Sequence, residues 1–260
     1  MSGIIGVLDL QGGVVEHLAH LAALGLPARR VRQAADFEDL AGLILPGGES
    51  TCLSRLLRRY GLDHEIKERL RAGLKLWGTC AGAILLAREV VGEAASLGLM
   101  DIRVQRNAFG SQLDSFNLTV DVPAVDLEPI PLTFIRAPKI LRLGTVVSPL
   151  LEIDDYCAAA EDRDILVTIF HPELTPSLAF HRYFAGKCSI SVPPRKDMLT
   201  DWRADSWVSY ASSLSPQARH KTRLIRPRRR APAPPGPAGV RSGSDRHPDT
   251  THGSKWKHAR

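Results

Sequence analysis

An α/β fold with a mostly parallel sheet and helices on both faces is predicted by three features of the first 90 residues. Short apolar runs rich in β-branched residues recur, each ends in a glycine-bearing turn, and each turn leads into a stretch with helical apolar spacing. Ile4–Leu8 is the first run, Asp9-Leu10-Gln11-Gly12-Gly13 its turn, and Val14 to Leu24 its helix, with Val14, Val15, Leu18, Leu21 and Ala22 at helical spacing. Ala28–Val31 reads as a second strand. Leu40–Leu45 is a third, broken by Pro46-Gly47-Gly48-Glu49-Ser50-Thr51 ahead of a helix from Thr51 to Tyr60. Asp63 is placed to cap a further helix ending near Gly73. Leu74–Trp77 then runs into Gly78-Thr79-Cys80-Ala81-Gly82 and an apolar helix-forming stretch. In such sheets ligands bind outside the carboxyl ends of the strands, so the three glycine loops should lie along one edge.

From Leu113 onward the pattern becomes more antiparallel. Phe116–Val122, Leu132–Ile135, Thr145–Val147, Tyr156–Ala160 and Ile165–Phe170 are short runs separated by Pro, Asp and Gly, and Ser177–Gly186 closes the fold as a helix. Two regions follow: a folded domain over residues 1–187 and an appendage over 188–260. Residues 1–186 carry a formal charge of −5 and residues 187–260 one of +11, so the basic balance belongs to the end of the chain. Beyond Cys188 the pattern dissolves: Val192-Pro193-Pro194-Arg195-Lys196, the Pro- and Arg-rich stretch from Arg226 and the Ser/Asp/His-rich end lack the apolar residues to offset ordering entropy, and residues 188–260 read as disordered. The cluster Arg226–Arg230 reads as solvated rather than as a nucleic-acid site. No run reaches the roughly 18 apolar residues of a membrane span, and no leader pattern stands at the N-terminus. Cys52, Cys80, Cys157 and Cys188 lie far apart without metal-ligand spacing, which points to a reducing, cytoplasmic setting.

Cys80 is the candidate nucleophile. Glycines two before and two after it suit a strand-to-helix elbow, where small neighbours let substrate approach and the helix N-terminus favours the thiolate. A buried structural cysteine is the alternative from this stretch alone. A thiol nucleophile needs a base, and the base needs an orienting acceptor. His171-Pro172-Glu173 ends the run Ile165–Phe170 and offers both, since residues two apart in an extended segment project to the same side. A lone His ending an apolar strand is more often a satisfied core residue, but the adjacent carboxylate, the strand-end position and Cys80 reverse that reading. Charge developing on the acyl oxygen requires backbone donors, for which Gly47, Gly48 and the amide of Ala81 are the candidates. A plain turn with Ser50 or Thr51 as N-cap explains the same glycines.

Gly78–Gly82 with His171-Pro172-Glu173 resembles the class I glutamine amidotransferase glutaminase domain, a flavodoxin-like three-layer fold with a Cys-His-Glu triad. Four more segments narrow the resemblance: Gly6–Gly12, Leu43–Thr51, Arg106–Phe116 and Phe134-Ile135-Arg136-Ala137-Pro138. Together they are similar to the glutaminase subunits of pyridoxal 5′-phosphate synthases, over about residues 3–186. The resemblance implies hydrolysis of L-glutamine to L-glutamate and ammonia without metal or cofactor, and transfer of the ammonia to a separate synthase subunit in a large hetero-oligomer. It implies Cys80 as nucleophile, His171 as base and then acid, and Glu173 as orienter. The glutamine site it implies comprises Gly48, Glu49, Ser50, Arg106, Ile135 and Arg136, with Arg106 and Arg136 acting by side chain or backbone. Asp9 stands where the family commonly has a small residue, which bears on activation by the partner, and the appendage beyond Lys187 has no counterpart in the usual subunit. A glutaminase for another synthase and a non-catalytic thiol sensor are the competing readings; segments 106–116 and 134–138 oppose the first, and the His171-Glu173 pair opposes the second.

Overall fold

A computed structural model describes residues 3–106, 108, 115–192 and 222–223. The first half is the expected strand–helix alternation: β1 (Ile4–Leu8), α1 (Val14–Ala23), β2 (Ala28–Val31), β3 (Leu40–Leu45), α2 (Ser50–Arg59), α3 (Leu62–Arg71), β4 (Lys75–Thr79) and α4 (Ala81–Leu86). The second half holds β5 (Ala87–Val90), β6 (Met100–Gln105), β7 (Phe116–Val120), β8 (Ile130–Phe134), β9 (Lys139–Leu143), β10 (Ser148–Ile153), β11 (Tyr156–Glu161), β12 (Ile165–Thr168) and α5 (Ala179–Lys187).

Strands β2-β1-β3-β4-β12 run parallel in that spatial order, and β11, β9, β6 and β5 extend the sheet beyond β12. β11 is antiparallel to β12 and β9, and β9 is antiparallel to β6, which matches the more antiparallel texture of the second half. β7 and β8 form a separate hairpin, stacked through Phe116 and Phe134 with ring centroids 4.6 Å apart. The central parallel strands β1, β3, β4 and β12 are apolar over most of their length because both faces are covered, whereas the edge strand β2 carries the half-buried Arg29 and the exposed Arg30. Ile5, Val7, Leu43, Ile44, Leu76, Trp77, Leu166 and Val167 are all fully buried. The register pairs Leu45 with Gly78 and Thr79 with Thr168, so the carboxyl ends of β3, β4 and β12 stand level. The loops that follow them therefore meet at one edge.

Several local expectations are corrected. The buried side of α1 is Val14, His17, His20 and Leu21, whereas Val15 is 59% exposed and Ala22 is also exposed. The helix is rotated from its apolar reading because two histidines, not two aliphatics, face the sheet. Asp63 is not a cap; Gly61, with φ of 67°, precedes α3, and Asp63 sits in the first turn. Ser50 and Thr51 are not caps either, since the Glu49 carboxylate accepts the N–H of Thr51 at 3.1 Å and of Cys52 at 2.6 Å. Thr145–Val147 is a turn closed by the Val147 N–H on the Gly144 carbonyl, and the strand begins at Ser148.

Cys188 and Ile190 are buried, so packing continues a few residues past Lys187. Thr222–Arg223 forms a short strand, β13, antiparallel to β10. The expected disordered appendage and the Arg226–Arg230 cluster otherwise lie outside the described residues. Among the described residues no helix is long and apolar enough to cross a membrane, and no cluster of His, Cys, Asp and Glu has the makings of a metal site.

Candidate active site

Cys80 closes β4 and opens α4 with φ of 47° and ψ of −101°, a conformation that costs of order 1–3 kcal/mol and persists only where the surroundings impose it. Its N–H is anchored on the Thr168 carbonyl of β12 at 2.8 Å. The two glycines flanking it serve packing more than substrate access. A Cβ on Gly78 would meet the Gly82 backbone at 2.5 Å, and one on Gly82 would meet the Leu45 carbonyl oxygen at 2.0 Å. Both are needed for α4 to start directly against β3 and β4.

His171 follows β12, its N–H bound to the Thr133 carbonyl at 2.8 Å, and Pro172–Leu174 forms a single 3₁₀ turn. That turn swings Glu173 back so that its Oε1 lies 2.8 Å from His171 Nδ1. With Nδ1 committed to the carboxylate, Nε2 is the nitrogen left to serve the Cys80 thiol, which stands close enough to act on the charge of the imidazole. Burial opposes charge on His171, yet the Cys80 sulfur and the Glu173 carboxylate beside it hold its pKa well above the usual imidazole value. Burial likewise opposes ionisation of Glu173, but His17 and His171 pull it down to about 2. The pair is thus a carboxylate facing an imidazole that readily carries a proton.

A cavity of about 470 Å³ opens over these groups, within the range of small-molecule sites. Its walls include Cys80, His171 and Glu173 together with Gly47, Gly48, Glu49, Ser50, Ala81, Arg106, Ile135 and Arg136, so the residues expected for catalysis, glutamine binding and the oxyanion all reach the same cavity. Ala81 opens α4 and its N–H has no acceptor within the helix. Gly47 differs from the other candidate donors: its N–H is donated to Thr79 Oγ1 at 2.9 Å, and its carbonyl accepts the Gly13 N–H at 3.3 Å. Its glycine character has another purpose, because a Cβ there would stand 2.4 Å from His171 Cε1 and 3.4 Å from Cys80 Cβ. Gln11 ties the first loop to the second, its Oε1 accepting the Glu49 N–H at 3.1 Å.

Arg106 binds the Glu93 carboxylate at 2.7 and 2.8 Å and lies 3.4 Å from Glu49 Oε1. Arg136 is exposed with φ of 44°, beside the buried Ile135. Asp9 is not in the cavity wall; its carboxylate takes Arg30 at 3.1 Å and Arg32 at 2.7 Å across the ends of β1 and β2. Most of the 106–116 segment lies outside the described residues. Unanticipated from the sequence are Thr79, His17, His20 and His181, all fully buried directly behind the triad. Polar residues at the inward positions of α1 and α5 were the available signal.

A cysteine on a strained elbow, with an imidazole and a carboxylate beside it at the carboxyl edge of this sheet, is the arrangement expected of a glutamine amidotransferase. A family model described as the SNO glutamine amidotransferase family matches residues 7–190, and the chain belongs to that family. The pyridoxal 5′-phosphate synthase subunit PdxT of Syntrophus aciditrophicus is 54% identical over 210 residues, 80% of this chain and 94% of that one. The PdxT subunit of Deinococcus radiodurans is 50% identical over 188 residues, 70% of this chain and 95% of that one. A crystal structure of a glutamine amidotransferase superposes with a TM-score of 0.69 at 42% identity, covering 72% of this chain and 100% of that one. A match to 80% of the chain cannot end at Lys187, so part of the extension does have a counterpart in the Syntrophus relative.

Proposed function

We infer that the chain is the glutaminase subunit of a pyridoxal 5′-phosphate synthase, hydrolysing L-glutamine to L-glutamate and ammonia that passes to a separate synthase subunit. The observation that carries the reading is the line Cys80, His171 and Glu173 at the floor of one cavity, with His171 Nδ1 held 2.8 Å from Glu173 Oε1. The names of the relatives support the partner proposed here: each is called a subunit of a pyridoxal 5′-phosphate synthase.

His171 takes the thiol proton as the Cys80 sulfur attacks the side-chain amide carbon of glutamine, and the amide oxygen takes the negative charge. The N–H groups of Gly48 and Ala81 receive it, with Gly47 giving the loop its close approach to His171. His171 delivers a proton to the amide nitrogen, the C–N bond breaks, and ammonia leaves a glutamyl thioester. A water then gives its proton to His171 and attacks the thioester carbon. The C–S bond breaks, releasing glutamate, and His171 returns its proton to the sulfur, for a balance of glutamine plus water to glutamate plus ammonia. Glu173 fixes the tautomer of His171 and stabilises its charged form in both halves.

Gly48, Glu49, Ser50, Ile135 and the two arginines hold the amino-acid end of glutamine. The Arg106 guanidinium is committed to Glu93 and Glu49, which favours a main-chain contact from Arg106 and a loop-fastening role for its side chain. The catalytic body comprises residues 1–187 with the packed residues to Val192, and the rest is an appendage outside the chemistry. A cytoplasmic setting accords with four free cysteines. The test is glutamate release by the chain mixed with its synthase subunit. Wild type should turn over and Cys80→Ala should not; undiminished hydrolysis by the variant overturns the assignment.

A further inference from the structure

Behind Glu173 lies a polar cluster that the three catalytic side chains do not account for. His17 projects from the buried side of α1 into a space walled by Trp77 and His181, with ring centroids 5.6 and 5.1 Å away. Its Nδ1 is 2.8 Å from His181 Nε2. Its Nε2 faces two oxygens, Thr79 Oγ1 at 3.3 Å and Glu173 Oε2 at 3.5 Å. Oε2 is buried and has no hydrogen-bond partner of ordinary geometry among the described residues. A buried carboxylate oxygen without a donor is costly, and the His17 N–H is the group aimed at it. Contacts of this kind are commonly long in a resting site and tighten in the working complex.

The carboxylate facing His17 Nε2 favours one pair of tautomers. A lone pair on His17 Nε2 would face the carboxylate lone pairs, so Nε2 carries the proton and Nδ1 accepts from His181 Nε2–H. His181 Nδ1 is then left as an unpartnered acceptor, which matches the one ring nitrogen of this pair found without a partner. An orphan lone pair in apolar surroundings is easier to bear than an orphan N–H.

We propose that His17 is a positioning residue for the catalytic base: its Nε2–H holds the second oxygen of Glu173, His181 fixes its tautomer, and Thr79 links the same nitrogen to the Gly47 loop. The chain of contacts runs His181, His17, Glu173, His171, Cys80, and its side branch through Thr79 Oγ1 ends on the Gly47 N–H at 2.9 Å. The loop that shapes the cavity and the carboxylate that orients the base thereby share one imidazole. The titratable groups facing His17 are His20 on its own helix, Glu173 and His171 from the loop after β12, and His181 from α5; Trp77 and Thr79 of β4 are uncharged. Burial pulls the pKa of His17 down to about 4 against the pull of Glu173, so the ring is neutral at neutral pH and acts as a donor, not as a charge.

The inference rests on the triad reading, and the experiment separates the two. Glutamate release by the complex with the synthase subunit is measured against glutamine concentration and pH for wild type, Cys80→Ala, His17→Leu, His17→Gln and His181→Phe. His17→Leu should lose about tenfold or more in kcat at a KM within about twofold, the effect of removing a hydrogen bond to a charged group. Its alkaline limb should move to higher pH, because an unassisted Glu173 holds the His171 proton more tightly. His17→Gln, whose amide N–H reaches the same oxygen, should keep at least about a third of kcat. His181→Phe should lose kcat at constant KM, to a smaller extent. An active Cys80→Ala overturns the triad itself. With Cys80→Ala inactive, a His17→Leu kcat within about twofold of wild type overturns the positioning role, as does a His17→Gln loss equal to that of His17→Leu. Should His17→Leu not fold, support requires the stated results from both His17→Gln and His181→Phe, and any other pair of results overturns the proposal.

Discussion

Replacing Gly47 by alanine separates loop geometry from loop chemistry. The added Cβ would lie 2.4 Å from His171 Cε1 and 2.9 Å from His171 Nδ1, where ordinary contact is 3.4–4 Å. Either the imidazole or the loop must yield by about 1 Å. The loop is held by the Gly47 N–H on Thr79 Oγ1 and by the Gly47 carbonyl on Gly13, whereas His171 is held at Nδ1 by one carboxylate. The imidazole should therefore move. A displacement of about 1 Å at a proton-transfer group costs about 100-fold in rate, while overpacking of this size costs about 1–3 kcal/mol of stability. Glutamate release in the presence of the synthase subunit, set beside urea denaturation, reads the two separately. The expected result is a folded protein with kcat down about 100-fold. A variant with kcat within threefold of wild type would refute the claim that Gly47 exists for His171.

Gly82→Ala should be worse for folding than for chemistry, since its Cβ would meet the Leu45 carbonyl oxygen of β3 at 2.0 Å; a denaturation midpoint equal to wild type would contradict this. Arg106→Ala frees Glu93 and Glu49 and should raise KM about tenfold with little change in kcat, measured by steady-state kinetics. Stability should peak near pH 6.5. Below it, unfolded histidines bind protons that folded His17 refuses until about pH 4, so stability falls across that window by about 3 kcal/mol from His17 alone, with His20 and His181 acting in the same direction. Above it, His171 keeps in the fold a proton that the unfolded chain releases, and stability falls again as pH rises through its raised pKa. Glu173, held at about 2 against 4.5, contributes stability that is present above pH 4.5 and is lost as pH falls toward 2. Urea denaturation from pH 4 to 9 checks the bell shape, and a flat acid limb would contradict the buried neutral histidines. Ending the chain after Val192 should leave glutaminase activity unchanged.

What the sequence revealed and what it concealed follow from the same physics. β1, β3, β4 and β12 are buried on both faces, so each is a continuous apolar run that periodicity finds readily, and the loops they aim at one edge include both halves of the Cys80-His171 pair. β6 was missed because it alternates inward Met100, Ile102 and Val104 with outward Asp101, Arg103 and Gln105, which reads as polar chain. The face of α1 was misjudged because His17 and His20 count as polar until their partners are known. Those partners, Thr79, Glu173, Thr175 and His181, lie 62 to 164 residues away for the bonded pairs that are closest and farthest in sequence. Local pattern carries no trace of such ties. The cap of α2 was hidden for a related reason: Glu49 is a less common N-cap than Ser or Thr, and it works here because its carboxylate reaches two N–H groups at once. Asp9, which broke the expected motif, is absorbed by Arg30 and Arg32 without touching the cavity.

The central claim is that Cys80 attacks glutamine with His171 and Glu173 behind it. Mass spectrometry of the synthase complex after treatment with a glutamine-analogue affinity reagent tests it most directly. One adduct should appear, on the peptide containing Cys80, slowed in His171→Ala and suppressed by excess glutamine. Labelling elsewhere, or no labelling with the synthase subunit bound, would contradict the account.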